Sequence, residues 1–147
     1  MPVTDVVCDT SVVLKWLHDE GETEVVDARR LLAAHRSGSI TAWVLDLTFY
    51  ELGNVLLRAL RWTAEDVAGQ LDDLRDICAV LTPNAADLRV AAHVAEEHAL
   101  TFYDAVYAAA ARSRASVLAT ADKALLAAGV AESPGVIAAR LGLSETL

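Results

Sequence analysis

Positive charge is what this chain has least of: 12 Lys and Arg stand against 21 Asp and Glu, a formal net charge of −9 over 147 residues. A protein so acidic does not hold DNA or RNA by bulk attraction, so any contact with nucleic acid has to be local. Cysteine is equally scarce. Cys8 and Cys78 both lie in apolar stretches and lack Cys-x-x-Cys spacing, which argues against a disulfide framework or a zinc site and for buried thiols in a reducing compartment. The start of the chain has no basic segment leading into an apolar run, and charges interrupt the longest apolar stretches well short of a membrane span. A soluble, cytoplasmic protein without membrane contact is therefore expected.

What the chain has in quantity is apolar surface. With 54% hydrophobic residues it can bury one sizeable core, and its length is short for two ordinary domains, so residues 1–147 read as a single domain. Repeats, low-complexity segments and a linker are not visible, and Gly and Pro fall at turns.

The pattern along the chain alternates strands and helices. Val3 to Cys8 is a β-branched run ending at Asp9, followed by helical spacing from Ser11 to His18. Thr23 to Arg36 reads as a helix closed by Gly38, Ile40 to Ala42 as a brief strand, and Leu45 to Leu60 as a long helix. Thr63-Ala-Glu-Asp resembles a capping box opening a helix to about Cys78. A short strand, Ala79 to Thr82, then stops at Pro83. Helices are expected over Ala85 to His98 and Tyr103 to Ser113, a strand over Val117 to Ala119, a short helix over Lys123 to Ala128, and a last strand near Val136 to Ala138. Such alternation predicts an α/β fold, a three-layer α/β/α sandwich around a mainly parallel sheet.

Four acids stand out against this background: Asp9 in Val-Val-Cys-Asp-Thr-Ser, Glu51 in Tyr-Glu-Leu-Gly-Asn, Asp104 in Tyr-Asp-Ala and Asp122 in Thr-Ala-Asp. A carboxylate beside apolar runs is costly to desolvate unless paired, hydrogen-bonded or metal-bound. Asp9 and Asp122 follow predicted strands, and the ligand crevice of an open parallel sheet lies at the carboxyl ends of its strands. Each is also a good helix N-cap. Glu51 and Asn54 share a mixed helical stripe with Leu47, Thr48, Val55 and Arg58, which fits a partly buried wall, although a solvated face remains open. Asp104 suits the first turn of a helix, where the dipole favours an acid, yet its neighbours Phe102, Tyr103, Val106 and Tyr107 are apolar or aromatic. Clustered carboxylates without soft ligands suit Mg²⁺ or Mn²⁺.

The order and context of the acids carry a resemblance. Val-Val-Cys-Asp-Thr-Ser-Val-Val-Leu-Lys-Trp-Leu, Tyr-Glu-Leu-Gly-Asn-Val-Leu-Leu-Arg-Ala-Leu, Phe-Tyr-Asp-Ala-Val-Tyr-Ala-Ala-Ala-Ala and Ala-Thr-Ala-Asp-Lys-Ala-Leu span nearly the whole chain. In that order they resemble the PIN-domain ribonucleases, in particular the VapC-type toxins of toxin–antitoxin pairs. The resemblance implies a divalent-metal-dependent endoribonuclease using Mg²⁺ or Mn²⁺, with Asp9, Glu51, Asp104 and Asp122 as metal-binding catalytic acids. Ser11, Asn54 and Thr120 would support those acids or contact phosphate. The partners implied are an RNA substrate, a cognate antitoxin and a second copy of the chain in a homodimer. Trp16, Trp43, Phe49 and Trp62 look like surplus aromatic surface for such interfaces.

Several residues are ambiguous in the sequence. Ten of the 12 bases are arginines, and Arg58 with Arg61 and Arg112 with Arg114 are candidates to rim the cleft or simply to end helices. Lys15 could reach phosphate or snorkel at the surface. His18, His35, His93 and His98 read as surface or helix-end histidines. A receiver-like phosphoacceptor domain would also gather acids around Mg²⁺, but it needs an acidic pair after the first strand and a mid-chain acid at a strand end, and neither is present. An inactive PIN-like interaction module would have lost an acid, and all four remain.

Overall fold

The computed structural model describes residues 3–143. Four strands, β1 (Thr4–Cys8), β2 (Ile40–Leu45), β3 (Ala79–Leu81) and β4 (Val117–Ala119), form one parallel sheet in the order β3-β2-β1-β4. Eight α-helices accompany it among the described residues: α1 (Thr10–Leu17), α2 (Val25–Ser37), α3 (Asp46–Asn54), α4 (Ala64–Ile77), α5 (Ala85–His98), α6 (Phe102–Ser113), α7 (Lys123–Ala127) and α8 (Pro134–Leu141).

The period-two geometry of β1 sorts these helices into two layers. Val6 and Cys8 point to one face, into a core shared with Val12, Val13 and Trp16 of α1, Leu31 of α2, Leu52 of α3, Leu74 of α4 and Ile137 of α8. Val7 points to the other face, against Ala91 and Val94 of α5, the alanine-rich α6 and Leu125 of α7. Because both faces are covered, β1 reads as a continuous buried run rather than an alternating one. The result is the three-layer sandwich expected.

Helix starts are set by short polar caps. Asp9, Thr63, Asn84, Thr101, Asp122 and Ser133 each accept a backbone N–H from the first turn of the helix that follows. Two expectations need correction on the same grounds. The segment Val136 to Ala138 is not a strand but part of α8: Ser133 caps it, Pro134 fits its first turn and Gly142, at φ 62°, closes it. Exposed Val136 beside buried Ile137 and Ala138 is a helical pattern mistaken for a strand. The predicted helix from Leu45 to Leu60 begins later, because β2 runs on to Leu45, and it ends in a π-helical turn, Val55–Ala59, from which the chain leaves through Arg61 at φ 60°.

Several surface expectations are also revised. Trp16 and Phe49 are buried, and Trp16 Nε1 donates to the Ala28 carbonyl, so they belong to the core and not to an interface. Large exposed hydrophobics are instead Tyr50, Phe102, Tyr103, Leu57 and Leu88 among others. Lys15 is only 4% exposed and pairs with Glu22 at 2.8 Å, so it neither snorkels nor reaches toward the acids. His35 is not a plain surface histidine: its ring accepts the Ala42 N–H at Nδ1 and meets the Ile77 carbonyl at Nε2, joining α2 to β2 and the end of α4.

Candidate active site

The carboxyl ends of β1 and β4 lie side by side and make the floor of the site. Asp9, the residue after β1, is 5% exposed, and its backbone N–H donates to the Ala119 carbonyl of β4. Both carboxylate oxygens accept hydrogen bonds: Oδ1 accepts Ser11 Oγ at 2.5 Å and the Val12 N–H at 3.2 Å, while Oδ2 accepts the Thr120 hydroxyl. The two hydroxyls in turn fix the loop after β4, since Ser11 Oγ accepts the Ala121 N–H and Thr120 Oγ1 accepts the Asp122 N–H, both at 2.9 Å. Two of the three expected supporting groups, Ser11 and Thr120, thus hold Asp9 directly. Asn54, the third, is exposed on the last turn of α3 and engages none of the acids.

The other three acids arrive from separate helices. Asp122 caps α7 through the Ala124 N–H at 2.8 Å, Asp104 lies in the first turn of α6, and half-buried Glu51 projects from the middle of α3. The capping reading holds for Asp9 and Asp122 and leaves the site reading open, because a cap at a strand's carboxyl end also faces the crevice side of the sheet. Electrostatics link all four. Burial first, then the charge of Asp122, raises Asp9 to about 6 against the pull of its hydroxyl and amide donors. Burial, Asp122 and Glu51 likewise raise Asp104.

No lysine, arginine or histidine forms an ion pair with any of these acids among the described residues. Arg112 and Arg114 do not rim the cleft. They follow Asp104 by more than two helical turns, and Arg114 is spent on Asp5 and Trp43 at the opposite end of the sheet. Arg58, in the π-helical turn after α3, and Arg61, just beyond it, are exposed and follow Glu51 by about two helical turns or more. Among the described residues, no three acidic, histidine or cysteine side chains stand close enough together to hold a metal ion as placed. Donor chemistry nevertheless fits a hard cation: every group is an oxygen, the charges repel one another, and among the described residues no Lys, Arg or His pairs with them.

A second layer of the site escaped the sequence reading. Glu51 Oε1 accepts Thr10 Oγ1 and Tyr107 Oη, each at 2.7 Å, and Tyr107 Oη also lies 2.8 Å from Thr48 Oγ1. Thr48 and Tyr107 are buried, and burial raises the Tyr107 pKa far above that of a free phenol. The signal was spacing: Thr48 and Glu51 are one turn apart on α3, Asp104 and Tyr107 one turn apart on α6, and Thr10 adjoins Asp9.

A parallel sheet with four electrostatically coupled carboxylates toward its carboxyl edge has the layout of a nuclease. The PIN domain profile matches residues 6–130, and the chain belongs to the PIN-domain family. It is similar to the exonuclease VapC9 of Pyrobaculum aerophilum, 40% identical over 114 residues that amount to 70% of this chain and 83% of that protein. Its fold is similar to that of Mycobacterium tuberculosis VapC20, described as a sarcin–ricin loop cleaving toxin, with a TM-score of 0.67, 21% identity, and coverage of 84% of this chain and 95% of that one. A toxin–antitoxin complex from Klebsiella pneumoniae has a TM-score of 0.62 at 13% identity, covering 88% of this chain and 97% of that one. This membership, with Glu51 on a helix, removes the receiver-like alternative. No helix among the described residues is long and apolar enough to cross a membrane.

Proposed function

We propose that the chain is a single-domain, Mg²⁺- or Mn²⁺-dependent endoribonuclease and the toxin of a toxin–antitoxin pair. The observation that carries this reading is the electrostatic coupling of Asp9, Glu51, Asp104 and Asp122, with no ion-paired Lys, Arg or His on any of them among the described residues, in a chain of the PIN family. Asp9, Glu51 and Asp104 are the principal ligands in this reading, and Asp122 contributes directly or through water. When bound, the cation polarises the scissile phosphate and makes water a competent nucleophile at neutral pH. The protein's own part is to orient the acids. Ser11 and Thr120 hold Asp9 against β4, the α7 N-terminus holds Asp122, and the exposed Arg58 and Arg61 are the candidates in this reading for contacts to the flanking phosphates of an otherwise repelled RNA.

VapC9's name favours a second reading, digestion from an end. Purified protein, free of any antitoxin, is incubated with a circular single-stranded RNA and Mg²⁺ or Mn²⁺, and the product ends are mapped. Internal cutting that stops with chelator and leaves 5′-phosphate and 3′-hydroxyl ends supports the proposal. Digestion of linear RNA alone supports the exonuclease reading, and cyclic phosphate ends or full activity in excess chelator would sink the metal-activated water mechanism.

The antitoxin reading draws on the toxin–antitoxin complex sharing this fold. In this reading the antitoxin of the present chain inhibits through a segment whose Arg reaches the acid cluster and competes with the cation for it. The active protein is a homodimer located in the cytoplasm.

A further inference from the structure

Glu51 is held by a hydrogen-bond chain whose direction is set by counting protons. Each hydroxyl has one proton to give. Thr10 Oγ1 and Tyr107 Oη also lie 2.9 Å apart, but with each hydroxyl's one proton given to the carboxylate oxygen Glu51 Oε1, 2.7 Å from both, neither has a proton left for the other. Tyr107 Oη must then accept from Thr48, and Thr48 Oγ1 is free to do so because the other contact it makes, with the Leu45 N–H at 3.2 Å, is one it accepts. The run therefore goes one way: Leu45 N–H to Thr48 to Tyr107 to Glu51. It begins on the last residue of β2, at the carboxyl edge of the sheet, and ends on the acid. Two donors converge on Oε1, and among the described residues none reaches Oε2. Tyr107 and Thr48 are 2% and 0% exposed, so water cannot substitute for either hydroxyl without repacking the region.

We propose that Tyr107, set by Thr48, is a positioning residue that fixes Glu51 with one carboxylate oxygen committed to the protein and the other presented to the cation. This rests on the metal-site reading above. A free glutamate side chain turns about three bonds and can offer both oxygens. Here α6 supplies both Asp104 and, one turn on, the hydroxyl that restrains Glu51, so the two acids are placed relative to each other by a single rigid element.

The test is Mn²⁺ affinity, read by calorimetry on wild-type protein and on Tyr107→Phe, Thr48→Val, Thr48→Ser and Glu51→Gln, singly and in combination. Tyr107→Phe keeps the ring and removes the proton donor. It is expected to weaken Mn²⁺ binding by about tenfold or more and to lower kcat with little change in KM for RNA. Thr48→Val should act in the same direction and Thr48→Ser should restore binding, a pair that decides the matter if Tyr107→Phe does not fold. In the Glu51→Gln background, Tyr107→Phe should cost nothing further, because it acts through the group already lost. Wild-type Mn²⁺ affinity in folded Tyr107→Phe, or full additivity with Glu51→Gln, would overturn the proposal. If wild-type protein binds no Mn²⁺, the metal-site reading falls and this proposal falls with it. Tyr50→Phe, at an exposed tyrosine beside Glu51, is the control and should leave affinity unchanged.

Discussion

The two ends of strand β1 treat an aspartate in opposite ways. Asp5, near the amino end, accepts Trp43 Nε1 at 3.0 Å and faces the Arg114 guanidinium at 3.6 Å, and that guanidinium also stacks 3.7 Å from the centre of the Trp43 ring. Asp9, just past the carboxyl end, has only neutral donors and another acid for company, and its carboxyl is pushed up to about 6. The same fold thus balances one acid with an arginine and leaves another without a cation. A stable protein gains nothing from the second arrangement unless something outside the chain completes it. The amino end pairs its acid within the fold, and the carboxyl end is where the proposed function puts a ligand.

Substitution should separate the two ends most sharply in activity. Asp104→Asn and Asp9→Asn are expected to lower RNA cleavage by more than about 100-fold while the protein stays folded, and a matched loss on Arg114→Ala would erase the distinction. Stability against pH gives the next largest effect. In metal-free protein Asp9 holds its proton up to about pH 6, against 3.8 for an unperturbed carboxyl, so the folded state binds that proton more tightly than the unfolded one. The contribution of Asp9 is therefore most favourable below pH 4 and declines as pH rises through 4 to 6, by roughly 3 kcal/mol at about 1.4 kcal/mol per pH unit. Urea unfolding of wild type and Asp9→Asn at pH 4.5 and 7.5 should show the variant gaining on wild type at the higher pH. A constant difference would mean that Asp9 is not strained by burial. At the other end, Arg114→Ala should cost about 1 kcal/mol, a modest figure because both partners are partly exposed, and should leave cleavage intact.

Local chemistry explains which of these features could be read in advance. Asp9, Thr63 and Asp122 announce themselves as caps after or between apolar runs, and a cap at a strand's carboxyl end is also a site position, so fold and acids were legible together. Trp16, Phe49 and Lys15 were misjudged because their burial depends on what packs over them, such as the Ala28 carbonyl and Glu22, and no spacing within their own helix reveals it. Arg114 was misplaced for a related reason: whether an arginine rims a cleft depends on the direction in which α6 crosses the sheet. The Thr48–Tyr107 contact joins residues 59 apart in sequence, and only the packing of α6 against the start of α3 brings them together. The segment Val136 to Ala138 failed through its own ambiguity, an apolar run of three too short to show a period, when Ser133, Pro134 and Gly142 were the better guide.

Thermal unfolding with and without Mn²⁺, at pH 7.5, on wild type, Asp9→Asn and Arg114→Ala tests the central claim most directly. The account predicts that Mn²⁺ raises the melting temperature of wild type and of Arg114→Ala by the same several degrees, with 100-fold excess over Kd corresponding to about 2.7 kcal/mol, and that Asp9→Asn loses most of this gain. No shift in wild type, or an equal shift in Asp9→Asn, would contradict it.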